Sequence, residues 1–488
     1  MKKLSLSLLA LFCLVGAQAQ FTTPDTGVNW NLQDLLNANS SPLIFNGSSY
    51  TLTEDLIISE NDSFNLSTAD SLYVDQDVLI QVYGSFTSNP ASGEMVITAT
   101  DSLTPYEGLR FENDSQISIN NTVIKNGGGL RVLTPNFSLT NSYLAYNVSG
   151  AATGAVVSVS YGSPIIENNT FLENDLPAVA SGANQEVAAI ITGNYLEGNG
   201  QSNQNRPQIN MGPSGIDTLK ITQNTIIGDP AMTQVGGIAV ANLTGGEIRA
   251  IIDNNTISNN RYGITVVGGN SFAYIRNNTI ENNNTQGSPN LGGSGISLNS
   301  SSNTQQVVAT NNEIRGNLWG ITVIGEASIN LGDNSDNPGG NIFANNGNGG
   351  NTYALYNNTS NTITALHNCW IEGQTNTLAD AESVIFHQAD DNTLGEVLYD
   401  PVGCGNLAVN NNELEAITFY PNPASNQFLV ENIQQLESLK IFDLSGKQVQ
   451  FQKLDKGNNR INISLHSGVY FVQFNNGKQT ITEKLIVK

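Results

Sequence analysis

The sequence predicts an all-β protein: a solenoid of stacked strand coils, followed by a small antiparallel β-sandwich. Three observations carry that prediction. A stretch like "IIDNNTISNNRYGITVVGGN" (Ile251–Asn270) returns along most of the chain. The apolar residues around each Asn alternate, as in Ile252–Asn255–Ile257, which is the period of a strand. After Cys404 the composition changes, and short alternating runs appear between Pro, Gly and Asn turn signals.

The 488 residues allow more than one domain. Lys2 and Lys3, the apolar run Leu4 to Gly16, and the small-x-small site Ala17-Gln18-Ala19 read as a secretory signal over residues 1–19. No later run reaches the ~18 apolar residues that a membrane helix needs. Residues 20–44 form an N-terminal segment. Within it "VNWNLQDLLNANS" (Val28–Ser40) reads as a short amphipathic helix. Such a helix would cap the open end of the solenoid, where strand edges would otherwise be unpaired.

The repeat is marked by Asn121, Asn141, Asn169, Asn194, Asn224, Asn255, Asn278, Asn312, Asn341 and Asn368, spaced 20 to 34 residues apart. Variable periods of this size are the signature of a solenoid. The repeats hold too much Gly and Asn for helical hairpins. Each repeat therefore reads as one coil of short strands and sharp turns, with coils pairing ~4.8 Å apart. Inward Ile, Val, Leu and Phe are buried beneath the next coil. The Asn is expected to accept left-handed backbone angles and to bond its stacked neighbours as a ladder. On this reading it builds the turn.

"NNTISNNRYGITV", Val78–Phe111 and Ile329–Trp370 resemble the coils of right-handed parallel β-helix proteins, the pectate-lyase-like superfamily. The resemblance covers residues 45–404. It implies the fold and says little of activity, because that fold serves lyases, hydrolases, epimerases and non-enzymatic surface proteins. Residues 405–416 read as a polar linker. In residues 417–488, "FYPNPASNQFLVE", "LKIFDLSGKQV", "SGVYFVQF" and "EKLIVK" resemble the C-terminal sorting domain of the type IX secretion system. That resemblance implies a partner, the type IX machinery, and a destination, the medium or the outer cell surface.

Net charge is −23, but residues 20–416 carry −28 and residues 417–488 carry +3. So acidic a body repels nucleic acid and anionic lipid. Cys13 leaves with the signal, and Cys369 and Cys404 are expected to pair in an oxidising compartment. The competing reading is two unpaired thiols; His367 and His387 lie near enough for a zinc site to be conceived, but without the spacing of a zinc motif.

In the resembling family, catalytic groups project outward from one sheet. In the Gly-Ile-x-Val strands the outward residues are Arg131, Ala239, Thr265, Ser297 and Thr322. They hold neither the carboxylate pair of a glycosidase nor an Asp cluster for Ca²⁺. Candidates elsewhere are Arg110 and Arg131 as the base of a lyase, and Glu167, Glu173 and Asp175 as carboxylates on one coil. Asp333 and Asp336 are candidate Ca²⁺ ligands. Solvated turns or surface counter-charges are the competing reading of each. Tyr262 in "RYGITV" and Trp319 in "LWGITV" share a coil position two coils apart, or ~10 Å. That spacing suits stacking on sugars, and core packing is the competing reading. The expected function is non-catalytic binding of a polysaccharide, cell-surface glycan or other surface, without a cofactor. The alternative is a polysaccharide lyase or glycoside hydrolase with a loop-built site.

Overall fold

The computed structural model describes residues 20–404, 419–432, 436–443, 447–475 and 480–488. The signal and linker of the sequence reading lie outside these residues. Three long parallel sheets run through residues 20–398. The first has fourteen strands, from Gln20–Thr22 to Ile385–Phe386. The second also has fourteen, from Asn29–Trp30 to Val397–Leu398, and the third has thirteen, from Leu43–Phe45, which pairs antiparallel with Tyr50–Leu52, to Ile342–Ala344. The chain visits the sheets in turn and returns one rung higher. Ile264–Val267, Ser271–Arg276, Thr279–Glu281 and then Ser294–Ser300 trace one such circuit. This is a parallel β-helix.

Strand alternation fills the interior. Ile252, Ile257, Ile264 and Val266 are fully buried, while strand neighbours such as Ile251, Thr256 and Thr265 face out. In-register pairing stacks like on like. Phe64, Phe86, Phe111 and Phe137 form one such column, with ring centroids 5.8, 5.7 and 6.0 Å apart.

Two corners flank most strands of the third sheet. Before Thr256–Ser258, Asn254 takes a left-handed φ of 57° and Asn255 turns inward. After it, Asn259 takes φ 58° and Asn260 turns inward. The Asn255 amide donates to Ile221 O and Asn278 Oδ1, both at 2.9 Å. Its own Oδ1 accepts from the Asn224 backbone and side-chain amides, both at 3.0 Å. The same exchange links Asn169, Asn194, Asn224, Asn255, Asn278, Asn312, Asn341 and Asn368 into a first ladder. A second ladder runs through Asn147, Asn174 and Asn199 to Gln208, then Asn260, Asn283, Asn317 and Asn346.

These corners correct the sequence reading in three ways. One Asn was expected to supply both the left-handed angle and the ladder; adjacent residues divide those tasks. Asn121 and Asn141 are left-handed residues, with φ 50° and 47°, and not rungs. Thr122 and Ser142 take the rungs there, Thr122 N donating to Ser142 Oγ and Ser142 N to Asn169 Oδ1. The second ladder was not foreseen. In one coil Asp229 stands where its Asn belongs, and a buried carboxylate would be costly. Asp229 instead accepts from Gln201 and Ala231, and Gln208 reaches in to bond Asn199 and Asn260 at 3.0 Å each.

At the N-terminal end the helix spans only Leu32–Leu36, with Asn31 and Asp34 forming a reciprocal capping box. Its expected first turn is instead the strand Asn29–Trp30, paired to Ser63 and Phe64. Gln20–Thr22 pairs with Asp55–Ile57, so coil pairing begins at residue 20 and not at 45. Backbone groups beside an existing coil gain partners that way. At the other end the helix Leu378–Glu382 buries Ala381; Trp370, Val384 and Ile385 are buried as well, and Cys369 is bonded to Cys404.

The chain divides into two compact units at Gly405. The second unit has a three-stranded antiparallel sheet of Phe419–Tyr420, Gln427–Asn432 and Gly457–Asn462. Its other sheet holds Gln448–Lys453, Ser438–Phe442, Gly468–Asn475 and Thr480–Val487. Phe428, Val430, Leu439, Ile441, Val472, Phe474 and Leu485 are its core.

Asn255→Ala strips a buried rung of its bonds and should cost about 2–4 kcal/mol. Asn254→Gly should be nearly neutral, since glycine adopts a left-handed φ freely. Equal losses for both in denaturant titrations would refute the division of tasks. Replacing Cys369 and Cys404 by Ser should remove ~4 kcal/mol in the chain-entropy model. Hydrogen exchange should then quicken near Trp370 first.

Candidate functional site

Register pairing turns one outward position of the first sheet into a continuous column. It runs from Arg110 and Arg131 through Ser158 and Ala180 to Ala239. It continues through Thr265, Ser297 and Thr322 to Tyr356 and Phe386. The outward residues expected from sequence all lie on it. Ala239 and Thr322 are nonetheless buried, at 5% and 7% exposure, because neighbouring groups cover them.

Over the later rungs the column forms the floor of a groove of about 420 Å³. Thr265, Ser297 and Thr322 line it with Ile324 and Asn358, which lie two residues further along their strands. Tyr262, Trp319 and Tyr356 are its aromatic rings, and Pro289, Asn290, Leu291 and Gly292 its lip. The residues that line it include no Asp or Glu.

Each ring is held by its neighbours. Tyr262 lies over Gly236, where any Cβ would sit 2.2 Å from the ring. Burial pushes the Tyr262 hydroxyl up to about 12, against the pull of Arg261. Trp319 packs on Tyr353 and Tyr356 at 4.8 and 5.0 Å, and Tyr356 stacks on Phe386 at 4.7 Å. Burial, then the neighbouring Tyr353 and Asp391, raise the Tyr356 hydroxyl as well. The lip is tied down from both sides. Trp319 Nε1 donates to Pro289 O at 3.0 Å. Arg261 donates from Nε to Leu291 O at 2.8 Å, from Nη2 to the same oxygen, and from Nη1 to Asn205 Oδ1 at 2.6 Å.

The other candidates lie elsewhere. Arg110 and Arg131 are side by side on adjacent rungs, with Arg131 five rungs from Thr265, or ~24 Å. Arg110 is ion-paired to Glu112 at 2.5 Å, so its charge is already engaged. Glu167 ends a strand of the second sheet. Glu173, with φ 46°, is a corner residue beside the third sheet, and Asp175 follows the ladder residue Asn174. Asp333 Oδ1 accepts from Ser335, Asp336 and Asn337 backbone amides and the Ser335 hydroxyl, and Oδ2 accepts from Asn330. Those donors hold the Asp333 carboxyl well below the usual carboxylate range, and they shape the loop that carries Asp336. Among the described residues no group of three or more His, Cys, Asp or Glu is placed to hold a metal. His387 bonds Glu382 and the Val397 amide.

The sequence reading placed Tyr262 and Trp319 together and missed Tyr353, Tyr356, Arg261 and Asn205. Tyr356 stands in "ALYNNT", after a hairpin at Gly347–Asn348 and Asn351–Thr352 that breaks the Gly-Ile-x-Val pattern. Arg261 was legible, since it directly precedes Tyr262.

Residues 418–488 match the family of secretion system C-terminal sorting domains. The second unit is a type IX sorting domain. A sorting domain sends its chain through the type IX machinery, so the solenoid is exported cargo, secreted or held at the outer cell surface. Among the described residues no helix is long and apolar enough to cross a membrane. No curated protein and no solved structure matches the chain.

Deleting the sorting domain, residues 418–488, should leave the solenoid inside the cell envelope. Fractionation with an antibody to the solenoid checks this; unchanged surface or medium levels would contradict it.

Proposed function

We propose that the solenoid is a non-catalytic glycan-binding module, delivered to the outside by its sorting domain. The observation that carries this reading is three aromatic rings, Tyr262, Trp319 and Tyr356, around a floor of Thr265, Ser297 and Thr322. A sugar presents C–H faces that pack on aromatic rings and hydroxyls that bond hydroxyl and amide groups. A few polar groups placed in a concave, partly apolar site are what orient a small ligand. The groove's volume, about 420 Å³, falls in the ~300–1,000 Å³ range of ligand sites. Cleaving a glycosidic bond by the usual route takes two carboxyl groups across the scissile bond. The groove lining supplies none, which supports binding over hydrolysis.

A glycan array probed with the mature chain tests the proposal. Binding should appear on a subset of glycans and weaken roughly 30-fold in Trp319→Ala, the loss expected of a central aromatic anchor. Reducing or unsaturated sugars released from a polysaccharide panel would replace binding by catalysis.

A further inference from the structure

We infer that this groove takes neutral saccharides and discriminates against polyuronates and sulfated chains. The inference rests on the glycan reading above and names the class of glycan.

The first argument is charge. Residues 20–416 carry a net −28, so a polyanion is repelled before it reaches the groove. Offsetting that field takes several cations at the site, and the lining supplies one, Arg261. A guanidinium grips a carboxylate through two parallel N–H groups on one edge. In Arg261 the Nε–Nη2 edge closes on Leu291 O, and Nη1 reaches Asn205. Arg261 is thus a strut between two loops. Elsewhere on the solenoid, Arg110, Arg249, Arg276 and Arg315 each pair with carboxylates, which leaves little cationic surface to draw in a polyanion.

The second argument is what the groove offers instead. Thr322 and Ser294 share a hydroxyl–hydroxyl bond at 3.0 Å, and Thr265 donates to Ser297 O at 3.2 Å. The Ser297 hydroxyl and the Asn358 amide, both in the lining, have no partner among the described residues. These are neutral groups able to donate and accept, which matches sugar hydroxyls. The Trp319 N–H is used by Pro289 O, so the indole offers the ligand its face. Thr265, Ser297, Thr322 and Tyr356 stand on four successive rungs, a run of ~14 Å. That length suits a short stretch of a sugar chain lying along the solenoid axis.

Native affinity electrophoresis of the full mature chain tests this, in gels holding a mixed-linkage β-glucan or a galactomannan, and in gels holding polygalacturonate or alginate. At least one neutral gel should retard the protein, with little change on adding salt. Trp319→Ala should weaken retention roughly 30-fold. Should that variant fail to fold, Asn358→Ala, a change at an exposed side chain, should still weaken it about ten-fold. Stronger retardation by a polyanion, abolished by salt and lost in Arg261→Gln, would overturn the neutral selectivity while leaving glycan binding intact. Absence of retardation in every gel would overturn both.

Discussion

The bond on which this solenoid depends runs from a buried side-chain amide to the coils next to it. A coil that turns a corner cannot pair every backbone group within its strands, and a buried unpaired group costs about 1–3 kcal/mol. The Asn rung meets that need in both directions. Asn255 donates to Ile221 O and accepts the Asn224 backbone amide in the previous coil, and donates to Asn278 Oδ1 in the next. Each rung satisfies its neighbour, so from Thr122 onward the ladder is continuous and holds those coils to one register.

The places where Asn is missing show which property matters. Thr122 and Ser142 continue the column with hydroxyls, which still accept a backbone N–H. At Asp229 the sequence offers a carboxylate, and the fold brings in the Gln208 amide from a neighbouring segment. A side-chain amide can donate and accept at once, and a carboxylate can only accept. The rung needs both.

Register then makes the outer surface. A residue beside Ile264 or Ile321 is an ordinary Thr, but stacked rungs place Thr265, Ser297 and Thr322 in one line. Bulky rings at the ends of those strands, and a lip held by Arg261 and Trp319, convert the line into a groove. Nothing in the column is unusual by itself. The groove's character comes from adjacency, and adjacency comes from the ladders.

Much of the architecture was legible because strand alternation and turn chemistry are local. The period of two around Asn255, the Asn corners and the tail's turn signals each act within a few residues. The same holds for the shared place of Tyr262 and Trp319, which one repeated motif marks. Tyr356, Asn205 and the second ladder were not legible. They depend on which segments come to lie side by side after insertions of unequal length, as when Gln208 fills the rung that Asp229 vacates. The sequence by itself determined that the chain coils, that like stacks on like, and that its tail is an address. Only the tertiary structure decided which residue at each corner faces in and which outward groups converge, because insertions reset the count along the chain and pairing between coils restores it in space.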